Sequence, residues 1–364
     1  MTPALRELLR TELADLSAYA PQRPAENAVK LDANEAPPTA SPRIRDAVTR
    51  AVERVALERY PDARATALRA AVARRTGAAP DDLLFGTGSD EVIALLVNGL
   101  ARPRAKLPQA VVMSPTPTFV MYRVTARAHG LKSVEVPLGA DWDLEVASMK
   151  RALEATRPNV LFVASPNNPT GNRMTEARLA EVVEAAGETF VVLDEAYIDY
   201  TSAGSLRAWR AKYRNLGILR TLSKVGLAAL RVGWLEADAE LVREIDKGRQ
   251  PFNVSAVSQA AAAAVLDEAW DAVQADVARV VAERSRVAAA LARVPGLVVS
   301  PSEANFLWVS TAKPAAEVAA WLASRGVIVR SFHAAGGRLA HQIRVTIGTP
   351  RENDRLLELP WGET

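Results

Sequence analysis

Four short stretches hold residues whose types and spacing can do chemistry. Thr221-Leu222-Ser223-Lys224 puts two hydroxyls just ahead of a lysine, and Arg231 lies seven residues beyond it. Asp194-Glu195-Ala196-Tyr197 closes the apolar run Phe190-Val191-Val192-Leu193. Ser165-Pro166-Asn167-Asn168-Pro169-Thr170-Gly171 closes another, Val160 to Ala164, while Gly86-Thr87-Gly88-Ser89-Asp90-Glu91 follows Leu83-Leu84-Phe85. A lysine at the end of a buried strand is costly to desolvate, so it is either paired or kept because its amine reacts. Free backbone N–H groups in a glycine-rich helix start suit a phosphate. Each stretch also has a plain reading. Lys224 taken alone is a surface lysine on a strand-to-helix loop, Asn-Asn-Pro-Thr-Gly a turn, and Gly-Thr-Gly-Ser a chain reversal. Asp194-Glu195 taken alone opens a solvated loop or binds a metal, and Phe119 and Tyr197 are core or rim aromatics.

Composition narrows the choice. The 364 residues include no cysteine, which removes disulfides, thiolate catalysis and zinc–thiolate sites together. Three histidines (His129, His333, His341) have no metal-ligand spacing, so no metal is expected. Chemistry must run on Lys, Asp, Tyr, Ser or a borrowed cofactor. A net charge of +3, with arginines scattered among acids, forms no basic stripe for nucleic acid. No apolar run reaches bilayer length. Glu7, Glu12 and Asp15 interrupt the N-terminus where a signal peptide needs an apolar core. The expectation is a cytoplasmic protein without nucleic-acid or membrane partners.

The elements that must position these residues follow from periodicity. Residues 3–17 read as an amphipathic helix, and 19–42 as a Pro-rich extended arm in which Lys30 to Glu35 shows neither helical nor strand period. Helices over 43–59 and 63–76 flank a turn at Arg59-Tyr60-Pro61-Asp62, and Gly77 ends the second. Strand, loop and helix then alternate as far as Tyr197. Strands apolar throughout, separated by helices, predict an α/β fold: a mainly parallel sheet covered on both faces. Binding groups in such sheets gather at the strands' carboxyl ends, where Asn168, Asp194 and Lys224 all fall. An Ala-rich helical region over 254–293, broken near Asp267-Glu268, leads to short strands around a helix at 314–325, a small α+β unit. The expected division is an N-terminal helix and arm (1–42), a large domain (43–267) and a small C-terminal domain (268–364).

A phosphate cradle, a strand-end lysine, a strand-end carboxylate and hydroxyls, with no His or Cys machinery, describe one cofactor. Pyridoxal phosphate needs a lysine for its imine, a carboxylate beside its pyridine nitrogen and donors for its phosphate. The carboxylate keeps that nitrogen protonated by Coulomb attraction and hydrogen bonding, which makes the ring an electron sink.

At these residues the chain resembles the fold-type I pyridoxal-phosphate aminotransferases of class I and II, and within them the histidinol-phosphate branch. The likeness runs from Leu31–Glu35 and Arg59-Tyr60-Pro61 through the four stretches above to Ile343-Arg344-Val345-Thr346-Ile347-Gly348-Thr349. The resemblance implies a large cofactor-binding domain and a smaller α+β domain in a homodimer that shares its sites across the interface. It implies that Lys224 carries the cofactor and moves the proton between the substrate Cα and the cofactor's C4′. Asp194 would pair with the pyridine nitrogen, Asn168 and Tyr197 with the ring oxygen, and Phe119 would stack on the ring. Ser89, Asp90, Thr221, Ser223 and Arg231 would hold the phosphate, joined by Tyr60 from the partner subunit. Arg344 and Arg330 would bind a substrate anion, with Tyr19 and Asn34 closing over it. The arm reads Asn-Glu-Ala-Pro where relatives have Asn-Glu-Asn-Pro, and Phe119 replaces the more usual tyrosine. The implied reaction exchanges histidinol phosphate and 2-oxoglutarate for imidazole-acetol phosphate and glutamate, in histidine biosynthesis. Same-fold alternatives are an aromatic amino acid aminotransferase and a threonine-phosphate decarboxylase. A non-enzymatic regulatory domain is disfavoured, because the first 40 residues are too short and not basic enough for a DNA-binding module.

Overall fold

The computed structural model describes residues 2–13, 16, 27–104 and 107–361. Among the described residues, twelve strands form two sheets. In chain order they are β1 (Val29–Leu31), β2 (Leu83–Thr87), β3 (Val111–Thr116), β4 (Lys132–Pro137), β5 (Val160–Ala164) and β6 (Phe190–Asp194). There follow β7 (Leu216–Thr221), β8 (Val232–Glu236), β9 (Leu297–Val299), β10 (Phe306–Thr311), β11 (Val327–Ser331) and β12 (Gln342–Thr346). The seven-stranded sheet runs β2-β8-β7-β6-β5-β3-β4, parallel from β7 to β4, with β8 antiparallel to both its neighbours.

Alternation along the central strands explains why the sheet needs cover on both sides. Phe162, Phe190, Val192 and Leu219 pack with Tyr122, Ile93 and Leu96 from helices on one face. Leu161, Val163, Val191, Leu193 and Ile218 pack with Met149, Leu179 and Val182 on the other. Every residue of β5 and β6 is buried, and each fully buried Val, Leu or Phe stabilises the fold by about 1.5–3 kcal/mol. Asp194 has the parity of Phe190 and Val192, so its side chain falls on the Tyr122 face.

The strand β8 carries no clear sequence signal, because Gly233 and Glu236 interrupt its apolar pattern. Both residues have structural reasons. Glu236 is 3% exposed and lies 2.8 Å from Arg207 and 2.6 Å from Arg210, so its charge is paired inside the fold. A Cβ at Gly233 would sit 2.4 Å from the backbone nitrogen of Ser89, so only glycine lets β8 pass under the start of the Ser89–Gly99 helix.

The second sheet runs β1-β11-β12-β10-β9, with β1 parallel to β11 and the other pairs antiparallel. Its first strand corrects the reading of Lys30–Glu35 as aperiodic: Val29 and Leu31 are buried either side of exposed Lys30. Three residues are too few for a period-two pattern to be read. The Ala-rich region is two helices, Ala256–Glu268 and Trp270–Leu291, meeting at Ala269 next to the expected break. The helix expected over 3–17 is a short helix at Pro3–Glu7 and a 3₁₀ turn at Thr11–Leu13. Tyr19 lies outside the described residues. No helix among the described residues is long and apolar enough to cross a membrane.

Candidate active site

The carboxyl ends of β2, β3, β5, β6 and β7, with the start of antiparallel β8, share one edge of the large sheet. That topology brings Ser89, Asp90, Phe119, Asn168, Asp194, Tyr197, Thr221, Ser223, Lys224 and Arg231 around one cavity of about 520 Å³, open solvent included. Four further expected residues, Asn34, Tyr60, Arg330 and Arg344, lie outside this lining. Asn34 and Arg344 bond to residues of the lining, and Tyr60 faces outward.

The anion end is built on the helix that follows β2. Gly88 adopts φ 76°, a conformation glycine reaches without strain, and its N–H donates to the Arg231 carbonyl at 2.8 Å. The Arg231 guanidinium lies 3.6 Å from Asp90 and 3.4 Å from the Ser223 hydroxyl. Thr221 donates to Ser223 Oγ at 2.9 Å and accepts from the Ser223 N–H at 3.1 Å. Helix N–H groups, hydroxyls and a guanidinium thus converge where an anion would sit.

Asp194 is a strongly perturbed group of the site. Its Oδ1 accepts from the Ala196 N–H at 3.0 Å and its Oδ2 from the Tyr122 hydroxyl at 2.5 Å. Burial, 4% exposed, raises its pKa to about 6, opposed by those two donors and by nearby Lys224, while Asp90 adds to the rise. Lys224 is half-buried, with Nζ 5.8 Å from the Tyr197 ring centre. The Tyr200 hydroxyl holds the Lys224 carbonyl at 2.5 Å, so the strand-end loop is anchored from below. Glu195 turns away: Oε1 accepts from the Leu206 N–H at 2.7 Å and Oε2 lies 3.8 Å from Arg220. No group of three or more His, Asp or Glu among the described residues is placed to hold a metal ion.

The expected substrate side is assembled from distant parts of the chain. Arg344 donates to Asn168 Oδ1 at 2.6 Å and to the Asp32 carbonyl at 2.5 Å. Arg330 is exposed and stands directly opposite Arg344 in the β11–β12 register, so both side chains leave one face of the sheet. Asn34 does not line the cavity; it is 2% exposed, and its amide donates to the Tyr197 hydroxyl at 2.9 Å. Tyr60 is 82% exposed and stacks on Phe252 at 4.8 Å, away from the cavity of its own chain.

Sequence reasoning gives no individual role to three residues here. Tyr122 carries no motif, and only the face parity of Asp194 points to it. Asn305 donates to the Asn34 carbonyl at 3.0 Å and so fixes the arm. Arg338 reaches from the segment before Arg344 to the carbonyls of Gly139 and Leu138, at 2.7 and 2.8 Å, and lies 3.8 Å over the Trp142 ring. It ties the second sheet's loops to the large sheet.

The donor set fits the cofactor that the motifs call for. A buried carboxyl made costly to ionise gains most from a cationic ring nitrogen beside it, Gly88 and Gly233 keep side chains out of the anion cradle, and the half-buried lysine lines the same cavity.

Residues 26–359 match the family described as aminotransferase class I and II. The chain belongs to that family. A histidinol-phosphate aminotransferase of Methylibium petroleiphilum is 40% identical to this aminotransferase over 98% of this chain and 95% of its own length. That of Chromobacterium violaceum is 38% identical over 98% of both. In three dimensions, the histidinol-phosphate aminotransferase of Sinorhizobium meliloti in complex with pyridoxal-5'-phosphate superimposes with a TM-score of 0.84. It is 25% identical, and the match covers 96% of this chain and 95% of that one.

Proposed function

We propose that this aminotransferase holds pyridoxal 5'-phosphate at the Lys224 edge and exchanges amino groups between histidinol phosphate and 2-oxoglutarate, as a cytoplasmic homodimer. The observation that carries the reading is the convergence of Lys224, Asp194 and the Arg231 cradle on one cavity with Arg344 at its rim. The names of the relatives at 38–40% identity support the substrate.

When bound, pyridoxal 5'-phosphate supplies an electron-poor ring that accepts the electron pair of the substrate's Cα–H bond. Ser89 and Asp90 N–H groups, Thr221, Ser223 and Arg231 bind the phosphate and fix the position of the ring. Asp194 is the anion for the ring nitrogen, Phe119 covers one ring face, and Asn168 with Tyr197 serves the ring oxygen. Lys224 Nζ would take the proton from the substrate Cα and deliver it to the cofactor's C4′, work that needs a neutral amine held close to both positions. Arg344 binds a substrate carboxylate or phosphate, with Arg330 across the strand adding positive charge. The same arginine pair serves both half-reactions, since each substrate carries an anion.

Tyr60 and Leu57 are 82% and 81% exposed, and with Phe252 stacked on Tyr60 they leave apolar surface outside the cavity of their own chain. A second copy of the chain covers such a surface and takes Tyr60 to the neighbouring phosphate cradle. Sedimentation velocity at micromolar concentration should show twice the chain mass; a fully active monomer would contradict the shared site. The substrate is tested by kcat/KM with histidinol phosphate, phenylalanine and threonine phosphate. Histidinol phosphate should lead by at least about tenfold, and a lead by either rival would replace the reading.

A further inference from the structure

Tyr122 stands in the first turn of the Met121–Ala128 helix and is completely buried. Its ring stacks on Phe162 at 4.7 Å with planes 4° apart, and meets Phe119 edge-on at 5.6 Å. Its hydroxyl donates to Asp194 Oδ2 at 2.5 Å. A tyrosine used only for packing would end in apolar contacts. This one spends its sole proton on the carboxyl that faces the cofactor site and supports the edge of the ring-stacking residue.

We infer that Tyr122 is a positioning residue that holds Asp194 in one orientation and favours its charged form, while bracing Phe119 from the side. This inference rests on the proposed cofactor reading for its catalytic meaning, though the Tyr122–Asp194 link exists without it. A phenol suits the task for a chemical reason. An arginine in its place would cancel the carboxylate's charge and compete with the ring nitrogen, whereas a neutral donor stabilises the charge and leaves it to act. Burial and Asp194 together keep the proton on Tyr122 well above the ordinary range of a phenol, so the donor persists at every working pH. Lys224, Tyr197 and Asp90 are the other titratable groups that face this pair. Lys224 favours the carboxylate and Asp90 opposes it.

The test reads the carboxyl directly. In apoprotein labelled with carboxyl-13C aspartate, the Asp194 signal is assigned by its loss in Asp194→Asn and titrated by NMR. Tyr122→Phe should move its midpoint up by about one to two pH units, the worth of a hydrogen bond to a charged group. Replacing Tyr122 by 3-fluorotyrosine, a more acidic donor that changes one atom, should move it down; this variant decides the matter if the Phe protein does not fold. Loaded with ring-15N pyridoxal phosphate, Tyr122→Phe should show the nitrogen signal shifted from the pyridinium position towards neutral pyridine. An Asp194 midpoint identical in all three proteins would overturn the inference. Wild-type protein that binds no cofactor would overturn the functional reading alone, and the apoprotein titrations would still decide the role of Tyr122.

Discussion

The cofactor edge and the substrate rim lie side by side and are built in opposite ways. The first takes its residues from the ends of adjacent parallel strands, each within a few positions of an apolar run: Asp194 ends β6, and Lys224 follows β7 by three residues. The second is closed by contacts between the two ends of the chain, such as Arg344 with the Asp32 carbonyl and Asn34 with Thr346. Parallel sheets bring strand ends together wherever the strands are long enough, so a strand-end site comes with the fold. A rim made of long-range hydrogen bonds depends on the whole molecule being in place. A family can therefore keep one chemistry at the edge while its substrates differ at the rim.

The largest effect is expected at the edge. Lys224→Ala should lower kcat by at least about 10²–10⁴-fold with substrate binding largely kept, measured by single-turnover kinetics. A variant within tenfold of wild type would remove the lysine from the mechanism and the basis of the comparison with it. At the rim, Arg344→Ala should cost about 10–150-fold in kcat/KM for both half-reactions, the worth of hydrogen bonds to a charged partner. Because Arg344 also holds Asn168, kcat should fall along with the rise in KM. Arg330→Ala, at an exposed position, should cost less and act on KM alone. Equal losses for the two arginines would show that charge, rather than the Asn168 contact, governs the rim.

A further effect concerns stability and has a defined sign. Burial raises the Asp194 pKa in the folded apoprotein from 3.8 to about 6, so the fold favours the neutral acid. That contribution is present below the unfolded value and is lost as pH rises through about 6. Asp194→Asn should therefore stabilise the apoprotein at pH 7 by about 3 kcal/mol relative to wild type, and the gain should vanish near pH 4. Thermal melts of the two proteins across that range check it. A gain independent of pH would mean that ionisation of Asp194 is not what costs stability.

The same contrast explains what could be read without coordinates. Apolar strands and their polar ends are local patterns, so the parallel sheet, its two-sided cover and the strand-end residues of the cavity follow from the sequence. β8 is hidden by Gly233 and Glu236, whose reasons are the Ser89 backbone and two arginines from other elements. β1 is too short to show a period and gains its identity from β11. Tyr122 is legible only once the side of the sheet that Asp194 faces is known. Asn34 is expected near the substrate, and its amide bonds the Tyr197 hydroxyl, a contact between residues 163 apart in sequence that no local pattern shows.

The pairing of β1 with β11 also sets an order of events during synthesis. Val29 pairs with Val327, 298 residues later, so β1 leaves the ribosome long before its neighbour exists. All seven strands of the large sheet, ending at Glu236, are complete by then. The arm bearing Asp32 and Asn34 must wait unpaired while the cofactor edge takes shape. Closing so long a loop late, onto a preformed scaffold, costs far less entropy than closing it in a free chain. The nascent enzyme should accordingly acquire its cofactor edge first and its substrate rim last.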